Sequence, residues 1–212
     1  MNKKVYTLYH DLLKKHGEAE KFWPQWCAAK KTAKDRGLIA IGAILTQRTS
    51  WNNAHLALKN LKRGKLLSLK NIAGLTNLNK LTNLTRPAGF YQTKPRRVFE
   101  FASFVTKNYI NIDRLKKENL RTARDKLLSL YGIGPETADT ILLYALDKLS
   151  FVIDEYTKRF VARHLSPENI TYDFLKDLFE NNLPKKVGVY QNYHTLIIVD
   201  QKGEEGSFMK KL

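Results

Sequence analysis

Apolar residues recur at three- and four-residue intervals along this chain, and that periodicity constrains the fold before anything else does. Val5, Leu8, Tyr9, Leu12 and Leu13 form one stripe, closed by Gly17, and Leu38, Ile41, Gly42 and Leu45 form a second. Trp51, Ala54, Leu58 and Leu61 make a third, with Ser50 placed as its N-cap. Val98, Phe101, Ala102 and Val105 make a fourth, entered through Lys94-Pro95. Ala123, Leu127 and Leu130 precede Gly132-Ile133-Gly134, after which Ala138, Ile141, Leu142 and Ala145 read as one buried helix face. Helical spacing continues through Tyr156–Leu165, Tyr172–Phe179 and the tyrosine-rich Val187–Val199. Within the last of these, Leu196-Ile197-Ile198-Val199 also fits a short strand, since a short apolar run satisfies either period. The Asn-, Lys- and Thr-rich stretch from Lys70 to Thr85 reads as helical turns and loops. No period-two alternation is long enough for a sheet, and no solenoid repeat is present. The fold class is all-α.

A chain of 212 residues can bury a substantial core as one large domain or two small lobes, and 43% hydrophobic residues exclude a disordered polymer. Its 37 Lys and Arg against 20 Asp and Glu leave a formal charge of +17. That excess favours a polyanionic partner, nucleic acid ahead of an acidic membrane surface. Cys27 is the single cysteine, which rules out an internal disulfide and any multi-cysteine zinc or iron–sulfur site built by this chain alone. It reads as a small buried side chain. No apolar run reaches the ~18 residues of a membrane span, and the first residues lack a signal-peptide core. A cytoplasmic protein is expected, nucleoid-associated in a prokaryote, without a membrane partner and monomeric.

The segment Leu130-Tyr131-Gly132-Ile133-Gly134-Pro135-Glu136-Thr137-Ala138 lies between two helical stripes and reads as helix, hairpin, helix. Gly132 and Gly134 permit backbone angles that other residues resist, and Pro135 suits the first position of a helix, where its missing N–H costs nothing. The result is a helix N-terminus presenting amides and a positive dipole end, a ready seat for a backbone phosphate. An ordinary helix–turn–helix connection needs the same glycines for geometry. The charge of the chain moves the balance toward DNA.

This segment, together with Phe151-Val152-Ile153-Asp154-Glu155-Tyr156-Thr157-Lys158-Arg159, resembles the helix–hairpin–helix (HhH-GPD) DNA glycosylases of the endonuclease III superfamily. Ala43–Trp51, Arg86–Tyr91 and Tyr193–Ile197 belong to the same pattern, so five blocks occur in the family's order between Phe22 and Gly203. Trp23-Pro24 and Trp51 bring the chain nearest to the branch containing the monofunctional 3-methyladenine glycosylases. The resemblance implies two helical lobes with a DNA-binding cleft between them. A six-helix lobe would cover 28–148, ending in the hairpin, and 1–27 with 149–212 would form the second.

It also implies roles. Asp154 occupies the position of the family's catalytic aspartate, and a residue of that type also suits a helix N-cap. Gln47 stands where a side chain fills the gap left by a flipped nucleotide, and Phe90 where an apolar wedge enters opposite it. Arg48 replaces the usual Asn, which alters the contact to the opposite strand. Gly132, Ile133, Gly134 and Thr137, with Lys94, Lys158 and Arg159, would hold the DNA backbone. Trp23, Pro24 and Trp51 would line the base pocket, where aromatic faces favour a cationic alkylpurine. His194 falls in a family block but reads as a packed histidine. Bifunctional relatives carry a lysine nucleophile two residues after the second hairpin glycine, where this chain has Glu136, a carboxylate that suits the first turn of a helix and is the second catalytic candidate, positioning the water. Many relatives also bind an iron–sulfur cluster through four late cysteines, none of which is present here. No cofactor or metal is therefore expected, apart from a monovalent cation at the hairpin.

The expected function is hydrolytic removal of a damaged base, such as an alkylated purine, from double-stranded DNA. Two alternatives stand beside it. One is a bifunctional, mismatch- or oxidised-base glycosylase; the other is a non-catalytic helix–hairpin–helix module for which Asp154 is dispensable.

Overall fold

The computed structural model describes residues 3–166, 169–209 and 212. Twelve α-helices follow one another: α1 (Lys3–His16), α2 (Ala33–Leu45), α3 (Trp51–Arg63), α4 (Leu69–Ala73), α5 (Asn79–Thr85), α6 (Lys94–Tyr109), α7 (Ile112–Lys117), α8 (Leu120–Leu128), α9 (Pro135–Thr140), α10 (Glu155–His164), α11 (Tyr172–Asn182) and α12 (Val187–Lys202). No strand occurs among the described residues, and none of the helices is long and apolar enough to cross a membrane. Leu196–Val199 is therefore helical. It lies inside α12, buried along a run from Tyr193 to Val199, so its local composition carries no face signal, and tertiary packing selects the helix.

The chain divides into two units, Met1–Ala29 with Asp147–Lys211, and Lys30–Leu146. In the second of these, α2 is buried along nearly its whole length and packs against α3, α6 and α7. Its start is fixed by a capping box in which Thr32 accepts from the Asp35 amide and Asp35 accepts from the Thr32 amide. Ser50 caps α3 as expected, accepting from Asn53 N–H at 3.3 Å. The two legs of the hairpin, α8 and α9, are locked by a bidentate pair, with Arg124 donating to buried Asp139 at 2.8 and 3.2 Å. Beyond α9 the chain widens into a π-helical turn, Ile141–Ala145, whose last carbonyl accepts from Arg36 at 2.6 Å.

In the other unit α12 is the central element, contacted by α1 and α10. Phe151, Phe179, Tyr190 and Tyr193 form its aromatic core, with Phe151 and Phe179 stacked at 4.2 Å between centroids. Ion pairs tie the late residues back. Lys15 and His16 at the end of α1 meet Asp200 at 2.6 and 3.1 Å, and His16 and Lys21 meet Glu204 at 3.2 Å each. The Met209 amide donates to the Phe22 carbonyl at 2.8 Å.

Candidate active site

Asp154 is the N-cap of α10: its Oδ1 accepts from the Thr157 amide at 2.7 Å. Its Oδ2 lies 3.5 Å from His194 Nε2 on α12, with both side chains largely buried. Burial alone would push this carboxyl upward. The nearby His194 imidazole and the Thr157 contacts outweigh that and hold it below the usual carboxylate range, so the group is an anion at neutral pH. The approach to Asp154 is braced from α11. Lys176 donates to Ser150 Oγ at 2.7 Å and to the Phe151 carbonyl at 3.2 Å, and Glu180 accepts from the Phe151 amide at 2.8 Å. In the sequence alone His194 reads as a packed histidine, because nothing local announces a partner forty positions away. The signal available was its place in a family block.

Trp23 belongs to the same unit. Its indole N–H donates to the Ser207 carbonyl at 3.0 Å, and its ring meets His194 and Trp26 edge-on at 6.1 and 5.7 Å. It is 5% exposed. Pro24 is half-buried beside it. Lys158 pairs with Glu155 at 2.7 Å, and exposed Arg159 lies over the Tyr156 ring at 4.6 Å while donating to Gln201 at 3.2 Å. Cys27 is half-buried, with its sulfur 3.7 Å from Thr195 Oγ1.

In the unit Lys30–Leu146 a second group forms around the hairpin. Gly132 takes φ +72°, and a Cβ there would stand 2.1 Å from Arg97 Nε, so both backbone and packing demand glycine. Gly134 differs. Its backbone is extended, nothing lies within 4 Å of where a Cβ would point, and among the described residues its amide carries no hydrogen bond. Ile133 is buried and its amide donates to the Leu130 carbonyl at 3.2 Å, so its side chain and amide support the turn.

Gln47 is committed to this hairpin. Its Nε2 donates to the Gly132 carbonyl at 2.9 Å and to Thr137 Oγ1 at 2.8 Å, while its Oε1 accepts from Arg97 at 2.6 Å. To project into a vacated stack, as the resemblance implies, this side chain must leave the hairpin. Three hydrogen bonds would have to break first.

Lys94 is the clearest correction. Its side chain is fully buried, with Nζ donating to the Leu45 carbonyl at 2.8 Å and to the Ala88 carbonyl at 2.7 Å. Burial, helped by the Arg97 charge, lowers its amine to about 8. It satisfies the end of α2 and the Arg86–Ala88 turn instead of reaching a phosphate. The loop it supports carries Phe90, 53% exposed at φ +48°, directly after Gly89 at φ +74°. Exposed Arg48 also takes a positive φ, +50°. A bulky side chain in that region is strained unless its surroundings hold it there. Trp51 is half-buried at the start of α3, 5.8 Å from the His55 ring. Glu136 is exposed in the first turn of α9. Among the described residues no three His, Cys, Asp or Glu side chains converge as metal ligands.

Known proteins match this arrangement. A Methanocaldococcus jannaschii protein, whose name places it provisionally among the DNA repair glycosylases, is 43% identical over 197 residues, covering 92% of this chain and 85% of its own. The H. pylori 3-methyladenine DNA glycosylase, solved bound to 1,N6-ethenoadenine, superposes with a TM-score of 0.74 at 28% identity, covering 94% of each chain. The Methanocaldococcus jannaschii 8-oxoguanine glycosylase/lyase, solved with DNA containing 8-oxoguanine, shares the fold at a TM-score of 0.64 and 17% identity over 98% of each chain. The family model for the HhH-GPD superfamily base excision DNA repair proteins matches residues 41–185, and it is to this superfamily that the chain belongs.

Proposed function

We propose that this protein is a monofunctional DNA glycosylase, binding double-stranded DNA and hydrolysing the bond between a damaged base and its sugar. The observation that carries the reading is Asp154: a largely buried carboxylate, kept anionic, with Oδ1 held by an amide and Oδ2 facing an imidazole. Base removal passes through a sugar carrying positive charge, which a fixed buried anion stabilises far better than water does. The water oxygen bonds to C1′, and the C1′–N bond breaks with its electron pair leaving on the base. The water proton passes to Asp154. A base already cationic through alkylation leaves more readily, so an alkylated purine is the substrate class we favour. The similarity to the H. pylori enzyme supports that choice.

Glu136 supports the absence of a lyase step, since a carboxylate cannot form an imine with the sugar. Its charge instead suits the first turn of α9. Gly134, an open position with a spare amide, fits close approach of a phosphate, with Thr137 and Gly132 shaping the turn. A monovalent cation at the hairpin would share the Gly132 carbonyl with the Gln47 amide. Phe90 and Arg48, exposed and strained, are suited to enter the duplex, and half-buried Trp51, in the same unit, to stack on an extruded base. The test is a panel of duplexes, each with one defined lesion, scored for free base released. Release from alkylpurine duplexes by the wild type and not by Asp154→Asn supports the reading. Binding without release from any duplex would favour a non-catalytic DNA-binding module.

A further inference from the structure

We propose that His194 is a positioning residue for Asp154, aligning its carboxylate for the hydrolytic step; this rests on the catalytic reading of Asp154. The geometry carries it. The α10 N-cap bond engages Oδ1, through the Thr157 amide at 2.7 Å, and the other oxygen, Oδ2, faces His194. His194 Nε2 stands 3.5 Å from Oδ2, within ion-pair range, and its ring is only 4% exposed. The ring itself is boxed. Trp23 meets it edge-on at 6.1 Å from the segment after α1, and Phe151 stands at 89° to it and 6.4 Å away. Trp23 is in turn held by the Ser207 carbonyl, and Phe151 stacks on Phe179 of α11.

The groups that face the pair from each neighbouring element are few in kind. α10 contributes Thr157 and α12 contributes His194 itself, while the α1 side brings the Trp23 ring. From α11, Lys176 and Glu180 reach the backbone of Phe151 but pair with each other. Burial pushes the Asp154 carboxyl up, and His194 is the strongest influence pulling it down. Without the imidazole, only the Thr157 contacts oppose burial. The carboxyl then rises, and since the reaction needs its anion, the acid limb of the pH–rate profile moves to higher pH.

Two variants separate this from a packing role. His194→Phe keeps an aromatic ring and removes the N–H; His194→Gln keeps an N–H and removes the ring. Single-turnover base release from an alkylpurine duplex is followed across pH, alongside duplex affinity and melting temperature. The Phe variant should lose about ten- to hundred-fold in rate with its acid limb moved up, and with affinity unchanged. The Gln variant should recover most of the rate, with the limb returned toward its wild-type position. Rates that fall in both variants only as far as their melting temperatures, with the limb in place, would overturn the proposal. So would a Phe variant indistinguishable from wild type. An Asp154→Asn protein that still releases base at the wild-type rate would instead remove the catalytic reading itself, whatever His194 does.

Discussion

Asp154 caps α10 and carries the charge of the proposed hydrolysis, and one substitution can pull the two apart. Asn is as good an N-cap as Asp, so Asp154→Asn should keep the bond from the Thr157 amide and the start of α10 while removing the charge. The expected result is a melting temperature within a few degrees of wild type, near-normal affinity for lesion DNA, and base release slowed by about 10³-fold. An equal loss of stability and activity would reduce Asp154 to a cap. Lys94 makes the opposite case, a basic side chain whose charge does not serve DNA. Lys94→Met should strand the Leu45 and Ala88 carbonyls at a cost of about 2–4 kcal/mol, read as a lower melting temperature, and leave the salt dependence of DNA binding unchanged. Neither the burial of Lys94 nor the bonds of Gln47 could be read locally. Their partners lie up to ninety positions away, and chain folding alone brings them together.

At the scale of elements, the hairpin shows what the sequence does announce. Helical stripes on either side, two glycines and a proline predict a tight turn entering a helix, and α8 and α9 flank one. The pattern does not say that the two glycines differ. Gly132 is required by its left-handed backbone and by Arg97, so Gly132→Ala should cost about 2–3 kcal/mol and loosen the Gln47 bonds. Gly134 is required by neither. Asn caps helices at least as well as Gly, so Gly134→Asn should leave the melting temperature unchanged while weakening binding to damaged and undamaged duplexes alike. A weakening confined to lesion duplexes would mean that this amide reads the base and not the backbone. The ambiguity in α12 has the same root as the hidden bonds. An element buried on nearly all sides loses the polar face from which its period is read.

Over the whole molecule the charge is unevenly shared. Residues 30–146 carry 22 Lys and Arg against 7 Asp and Glu, whereas the remainder carries 15 against 13. Almost all of the basic excess thus belongs to the unit with the hairpin, and the anionic catalytic candidate to the nearly balanced one. Exposed Arg48→Gln should accordingly lower the log–log salt slope of duplex binding by about 0.9, the increment for one neutralised phosphate, and Lys14→Gln on α1 should leave it unchanged. The central claim is that water, directed by Asp154, and not an amine of the protein, displaces the base. Borohydride treatment during turnover of an alkylpurine duplex tests it most directly. No covalent protein–DNA adduct should be trapped, and the product strand should break only after alkali. A robust trapped adduct, with strand breaks before alkali, would contradict the account and identify a lysine as the nucleophile.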